Sequence, residues 1–194
     1  MDEVEQVLFY FKRTILRLVP GIHEKLRHEF RQVFPNEDFS STPIVRFGSW
    51  VGADRDGNPF VTCDVTRRTA AKQRELMFQT YLAEVEDLIR RFSQSSLRIG
   101  VSEELTESIA ADCEKLPDLA REMKRYESTE IYRKKYSLIH KKLENTFAGE
   151  GYGYASAEEF AKDLEVVTRS LRSHKGKYAA GGDLQRLIDQ VRVF

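Results

Sequence analysis

Apolar side chains spaced three and four residues apart predict that most of this chain is helical. One such pattern runs from Val4 to Leu18 and stops at Pro20-Gly21. A second runs from Ile22 to Val33 and stops at Pro35. Proline has no backbone N–H and restricts the residue before it, so both positions read as helix boundaries. The pattern therefore predicts a helical hairpin over residues 1–35.

The segment 64–194 reads as a series of further helices. A stripe of apolar residues from Val65 to Phe92 predicts one long helix, which Thr62 or Asp64 would cap. Ser102 and the pair Ser156 and Glu159 mark the starts of two later helices, the second through a capping box. The side chains expected in the core are Phe11, Phe30, Met77, Tyr81, Leu88, Ile139, Leu164 and Ile188. The fold class predicted is mainly α, a bundle-like segment.

Only one β-strand is predicted, over residues 44–50, and it leads into a loop that ends near residue 62. A single strand cannot satisfy its own backbone hydrogen bonds in a sheet. We therefore expect its partner strands to lie outside this chain. Trp50, the only tryptophan, is expected to fill the core beneath the loop.

Composition and charge exclude several classes of protein. Lysine and arginine total 31, as do aspartate and glutamate, whereas a dedicated nucleic-acid binder usually carries a basic excess. No apolar run is long enough for a membrane span, and the N-terminus lacks the features of a signal peptide. Cys63 and Cys113 form neither a disulfide framework nor a C-x-x-C site. We expect a cytoplasmic protein that binds neither nucleic acid nor membranes.

Two basic stretches allow more than one interpretation. The first lies in the opening turns of the long helix and consists of Arg67, Arg68, Lys72 and Arg74. It could bind a phosphate group, although a solvated helix face is the more common explanation. The second consists of Lys124, Arg125, Arg133, Lys134, Lys135, Lys141 and Lys142. Glutamates are interleaved with it, so a solvated surface is predicted there.

The loop over residues 54–59 concentrates turn-forming residues around one arginine. Asp54, Asp56 and Asn58 have side chains that bond to neighbouring backbone, and Gly57 tolerates positive φ. Two interpretations remain open for Arg55. It pairs with both aspartates and is structural, or it faces an anionic substrate with its planar guanidinium.

No metal site is predicted in this sequence. The spacing of Asp54, Asp56 and Asn58 resembles the start of a calcium loop, but Pro59 and Val65 occupy the positions that require Gly and Glu. The four histidines have no spacing that joins two of them on one helix face.

The run FGSWVGADRDGNP, residues 47–59, resembles the FGSWMGGDRDGNP signature of the phosphoenolpyruvate carboxylase family. It differs at Val51 and Ala53. Residues 7–11, Val19-Pro20 and residues 154–160 resemble the same family in the same order. Because enzymes of this family are several times longer, the resemblance implies that the chain is an internal piece of one.

The resemblance implies a lyase that converts phosphoenolpyruvate and bicarbonate to oxaloacetate and phosphate, with Mg²⁺ or Mn²⁺ in the full-length enzyme. It implies a central eight-stranded barrel to which the predicted strand belongs, with the loop Asp54–Asn58 close to substrate. It places Arg74 near an effector-phosphate site. The remainder of the enzyme chain is the implied partner, and the full enzyme is expected to be a homo-oligomer.

The family's catalytic motifs are absent from this sequence. The resemblance implies a Thr-Ala-His-Pro-Thr motif with an essential histidine, acidic metal ligands and a Gly-Arg-Gly-Gly loop, none of which occurs here. The chain alone is therefore expected to contain no catalytic residue, to bind no metal and to be inactive. The alternative is a stand-alone, non-catalytic helical interaction module, and a nucleic-acid binder is a third, weaker interpretation.

Overall fold

Helices dominate the computed structural model, which confirms the mainly α fold class. The residues described are 2–37, 45–48, 50–92, 100–126, 129–174 and 182–194. Of these, 76% are helical, and none lies in a strand. They divide into two compact units, one comprising the residues up to Gln79 with Arg192–Phe194 and the other comprising Thr80–Val191.

The described residues contain eight α-helices, one π-helical segment and one 3₁₀ turn. They are α1 (Asp2–Tyr10), a π-helical segment (Phe11–Ile15), α2 (Leu16–Val33), α3 (Cys63–Arg91), α4 (Glu103–Lys115), α5 (Pro117–Glu122), a 3₁₀ turn (Met123–Arg125), α6 (Ile131–Ala148), α7 (Ala157–Ser173) and α8 (Asp183–Val193). The boundary between the two units falls within α3.

The predicted helical hairpin over residues 1–35 is wrong, because the chain does not turn at Pro20. Residues 2–33 form an unbroken helical run in which Pro20 lies inside α2. Ile15 and Leu16, at the junction between the π-helical segment and α2, both keep helical dihedrals. An interior proline costs about 3 kcal/mol of helix stability. Burial of the face that carries Leu16, Val19 and Pro20 offsets this cost.

The predicted strand over residues 44–50 does not form in the described part of that segment. Residues 45–48 and Trp50 have no strand assignment, while Ile44 and Ser49 lie outside the described residues. A strand requires a partner, and the described residues of this chain provide none. Whether the segment joins a barrel in a longer protein stays a prediction.

In the first unit, three phenylalanines from distant positions in the sequence meet. The Phe47 ring lies 5.1 Å from that of Phe11 and 5.0 Å from that of Phe194, and is nearly parallel to the latter. These rings border an apolar cleft of about 360 Å³, which α1 and the side chains of Leu76 and Met77 also line. The cleft adjoins the start of the loop with the predicted site residues.

The second unit has a continuous apolar core. Helices α4, α6 and α7 pack against one another. Each contributes side chains that are fully or almost fully buried, and α8 adds more: Leu105, Leu138, Ile139, Leu164, Val167, Leu171, Leu184 and Leu187. The predicted core residues of this unit, Tyr81, Leu88, Ile139, Leu164 and Ile188, are all buried, which confirms that part of the prediction.

A buried network of four charges joins α4, α6 and α7 inside this core. Lys135 Nζ lies 2.7 Å from an oxygen of Asp112 and 2.5 Å from one of Asp163. Lys142 Nζ lies 3.1 Å and 2.8 Å from the other oxygens of the same two carboxylates. Tyr154 donates to Asp163 at 2.7 Å. Each charge therefore has two partners of opposite sign.

The predicted solvated surface is wrong for Lys135 and Lys142, which are 0% and 6% exposed. The sequence carried a signal that could have found them. The two lysines are seven residues apart, so they lie on one face of α6, and that face also carries Leu138 and Ile139. Lys141, one residue away, is partly exposed and pairs with Glu144.

The pKa shifts of Asp163 and Lys142 both favour the charged form of the side chain. Burial alone would raise the pKa of Asp163, but Lys135 and Lys142 outweigh it and the pKa is lowered. Burial alone would lower the pKa of Lys142, but Asp163 and Asp112 outweigh it and the pKa is raised. The contribution of Asp163 to stability is thus present above about pH 4, and that of Lys142 below about pH 10.

Replacing Lys142 by methionine should destabilise the protein by about 3–5 kcal/mol, because Asp112 and Asp163 would be left buried with one lysine between them. Lys141→Met is the matched control. This control also removes a lysine ammonium group, but from the half-exposed pair of Lys141 with Glu144. It should change the free energy of unfolding by less than about 0.5 kcal/mol. Urea unfolding followed by circular dichroism measures both. Equal losses in the two variants would show that the buried network contributes no special stability.

Candidate functional site

The loop that carries the predicted site residues begins with a tight turn at Trp50. The backbone N–H groups of Ala53 and Asp54 both donate to the Trp50 carbonyl, at 3.1 and 3.0 Å. Gly52 lies inside this turn with φ of +78°. A Cβ at Gly52 would lie 2.2 Å from Oγ1 of Thr69, a buried residue of α3. Close approach of the turn to α3 therefore requires glycine there.

Two side chains close the central turns of the loop, as the sequence predicts. Asp54 Oδ1 accepts a hydrogen bond from the N–H of Asp56 at 3.2 Å. Asn58 Oδ1 accepts one from the N–H of Phe60 at 3.0 Å. Between them the N–H of Asn58 donates to the carbonyl of Arg55 at 3.3 Å, and Gly57 has φ of +68°. These are Asx-type turns, whose shape depends on bonds over two or three residues.

The loop ends at the N-terminus of α3. Thr62 Oγ1 accepts a hydrogen bond from the N–H of Val65 at 3.3 Å, so Thr62 is the N-cap and Asp64 lies in the first helical turn. Of the two caps predicted from the sequence, Thr62 is the one used. The loop is thus anchored at one end by Gly52 against Thr69 and at the other by the helix cap.

Arg55 is exposed at the outer part of this loop. Among the described residues, no ion pair within 4 Å connects it to Asp54, Asp56 or any other carboxylate. Asp54 is only partly exposed, and its Oδ1 is already engaged with backbone. The paired, structural interpretation of Arg55 therefore finds no contact in the described residues, while its contact with an anionic substrate stays a prediction.

The expectation that Trp50 fills the core is wrong. Its side chain is 75% exposed, and that of Phe60, on the other side of the Asp54–Asn58 turn, is 83% exposed. The residue of this turn that approaches α3 closely is Gly52, at Thr69. Two large aromatic side chains therefore flank the predicted site on the surface of this unit.

Several members of the basic stretch at the start of α3 contact other side chains. Arg68 lies 3.4 Å from Asp64, and Lys72 pairs with Glu5 of α1. Arg74 is exposed, and its guanidinium carbon lies 4.8 Å from the centre of the Phe78 ring, a cation–π distance. These contacts favour a solvated helix face for Arg68 and Lys72, while the assignment of Arg74 to an effector site stays a prediction.

The described part of the chain brings together no three His, Cys, Asp or Glu side chains that could hold a metal ion. In the same residues, no helix has both the length and the apolar character needed to cross a membrane.

Comparison with known proteins decides the family. The profile described as phosphoenolpyruvate carboxylase matches residues 1–194. The chain belongs to the phosphoenolpyruvate carboxylase family.

Similar full-length proteins, each named phosphoenolpyruvate carboxylase, come from several bacteria. The chain is 35% identical to the protein of Roseiflexus castenholzii over 208 residues, 34% identical to that of Thermosynechococcus vestitus over 212 and 32% identical to that of Ralstonia nicotianae over 210. Each match covers 100% of this chain but only 22%, 21% and 20% of the relative. The chain thus spans about a fifth of the length of these carboxylases.

Gly52→Ala should destabilise the protein more than Gly57→Ala. Both glycines have positive φ, which costs a residue with a side chain roughly 1–2 kcal/mol. A Cβ at Gly57 meets nothing within 4 Å, whereas one at Gly52 collides with Thr69. The collision should add about 1–3 kcal/mol of overpacking cost. Thermal unfolding of the two variants measures the difference, and equal melting temperatures would contradict the close contact with α3.

Proposed function

We propose that this chain is an internal segment of a phosphoenolpyruvate carboxylase. The complete enzyme, a carbon–carbon lyase, would join phosphoenolpyruvate and bicarbonate to give oxaloacetate and phosphate, through carboxyphosphate and an enolate. Membership of the family over the whole chain supports the proposal. The structural observation that supports a role in substrate binding is the anchored turn that exposes Arg55.

Arg55 would help to hold an anionic substrate. A guanidinium binds the oxygens of a phosphate, carboxylate or bicarbonate in a bidentate manner, and it keeps its charge at any physiological pH. The Asx turns of Asp54 and Asn58 fix the backbone on both sides of Arg55, so little conformational entropy is lost when the substrate binds. Asp56 and Gly57 complete the turn that positions it.

The metal of the complete enzyme would be held elsewhere. Mg²⁺ or Mn²⁺ would stabilise negative charge as it develops on the substrate. In this loop, Asp54 and Asp56 are the only acidic side chains, and Asp54 is already bonded to backbone. The loop residues therefore do not fit a metal site, and we expect the ligands, like the essential histidine, to come from the remainder of the enzyme.

The remaining parts of the proposal follow from membership of the family. The isolated chain would be inactive, because it lacks the acid–base and metal-binding residues of the reaction. The complete enzyme would be a cytoplasmic homo-oligomer, and Arg74 would lie near a site for a phosphorylated effector. A stand-alone interaction module is the alternative, which the exposed Trp50 and Phe60 would also suit.

The coding sequence on either side of this segment tests the proposal. We expect it to encode the Thr-Ala-His-Pro-Thr motif and the Gly-Arg-Gly-Gly loop. The complete polypeptide should form oxaloacetate from phosphoenolpyruvate and bicarbonate in a coupled malate dehydrogenase assay, and the purified 194-residue chain should not. If the flanking sequence contained neither motif, the proposed carboxylase activity would be refuted and the stand-alone interaction module would remain as the explanation.

Arg55→Lys in the complete enzyme should raise the KM for phosphoenolpyruvate or bicarbonate, or lower kcat, by at least ~10-fold. That factor corresponds to about 1.4 kcal/mol, one lost charge-assisted contact. The melting temperature should change little, because Arg55 is exposed and forms no ion pair among the described residues. Steady-state kinetics and thermal unfolding measure the two effects.

Arg31→Lys is a suitable control, because Arg31 is also exposed but lies in the last turn of α2. It should leave both the kinetics and the melting temperature unchanged. If Arg55→Lys had normal kinetics and a clearly lower melting temperature, Arg55 would be a structural residue of the turn.

A further inference from the structure

Exposed apolar side chains are unevenly distributed between the two units. In the described residues of the first unit, the large ones are Phe9, Tyr10, Leu18, Ile22, Leu26, Val33, Phe34, Phe47, Trp50 and Phe60. In those of the second unit they are Phe147 and Tyr152. Single exposed apolar residues are normal, but a contiguous group of them marks an interaction site.

Four of these side chains form a stripe along α2. Leu18, Ile22 and Leu26 follow one another at intervals of four residues, and Val33 comes seven residues later, so all four lie on one face. Their exposures are 57%, 47%, 37% and 68%. We call this surface the α2 stripe.

The α2 stripe is distinct from the face of α2 that is already buried. The buried side chains of this helix are Leu16, Val19, Pro20 and His23. At about 100° per residue, the centres of the two sets lie roughly 100° apart around the helix. The apolar surface of α2 is therefore about twice as wide as the part that packs within this unit. An amphipathic helix of this width is typical of one that contacts neighbours on two sides.

We propose that the α2 stripe is an intramolecular docking surface for an amphipathic helix from the remainder of the carboxylase chain. This inference rests on the proposed function, in which about four-fifths of the enzyme lies outside this segment. Leu18, Ile22 and Leu26 form a ridge with a spacing of four residues, the kind that fits into the groove of a second helix.

Two charged side chains accompany the apolar residues of the α2 stripe, which suits an amphipathic partner helix with both an apolar and a polar face. Lys25, an exposed cation, lies at the edge of the stripe, and Glu29, an exposed anion, lies within its angular range between Leu26 and Val33. They could pair with charges of either sign at the edges of an amphipathic helix. A second copy of this chain could also cover the stripe, but a tethered segment of the same polypeptide has an effective concentration in the millimolar range and would displace it.

Cysteine labelling tests the docking surface without disturbing the fold. Ile22→Cys places a thiol in the α2 stripe, and Glu24→Cys, the matched control, places one at an exposed position on the opposite side of the same helix. Each variant is made both in the 194-residue chain and in the complete polypeptide encoded by the gene. N-ethylmaleimide is added, and peptide mass spectrometry quantifies the label at residue 22 or 24, so that other cysteines do not interfere.

In the isolated chain we expect both positions to react at similar rates, independent of protein concentration. In the complete polypeptide, residue 22 should react at least ~10-fold more slowly, as expected for a site that opens only transiently, and residue 24 should keep its rate. Leu26→Cys should behave as Ile22→Cys does.

Three results would overturn the inference. The first is an unchanged rate at residue 22 in the complete polypeptide. The second is equal protection of residues 22 and 24, which would show a helix buried all round. The third is protection of residue 22 in the isolated chain that grows with concentration, which would identify a second copy as the occupant. If the complete polypeptide were active as a carboxylase but residue 22 still reacted fully with N-ethylmaleimide, only the docking surface would be refuted. If residue 22 were protected from labelling but the polypeptide were inactive, only the carboxylase would be refuted.

Discussion

The second unit depends on one constraint, the need to pair four charges that are buried in its core. Asp112 on α4, Lys135 and Lys142 on α6 and Asp163 on α7 alternate in sign, and every charge contacts two others. Hydrophobic side chains tolerate small shifts between helices, but these charges do not. A slip of α6 by one turn would leave charges without partners in a medium of low dielectric constant, where the cost of an unpaired ion is high. The network therefore fixes the register of three helices, which apolar packing alone would define less strictly.

The first unit is less completely buried than the second. Its expected core residues Phe11, Phe30 and Met77 are only partly buried, whereas their counterparts in the second unit are buried. The stacked rings of Phe47 and Phe194 border an apolar cleft rather than filling a core. Both observations fit a chain that spans about a fifth of the length of the carboxylases it matches. Stability in this unit would thus come partly from contacts that the segment does not contain.

Local rules predicted the features that depend on neighbouring residues. The caps Ser102, Thr62 and Ser156, and the turns closed by Asp54 and Asn58, all form as their side-chain chemistry requires. The failures have a common cause, since each depends on tertiary context. The rule that proline ends a helix predicted a break at Pro20, but burial of one face of α2 outweighs the cost of an interior proline. Charge composition alone placed buried lysines on the surface, because it ignored the apolar neighbours on the same helical face. The strand lacked a partner within the described chain.

The predicted site combines a complete local geometry with an incomplete chemistry. Among the described residues, the hydrogen bonds that shape the Asp54–Asn58 turn join residues at most four apart in sequence, so the turn needs no distant part of the protein to adopt its form. The charge of Arg55, in contrast, has no partner among the described residues. A preformed turn with an uncompensated guanidinium is what electrostatic preorganisation requires, because donors already in place need no reorganisation when a substrate arrives. Such a turn can be encoded in one segment, while in the proposed carboxylase the groups that make and break bonds would be supplied by others.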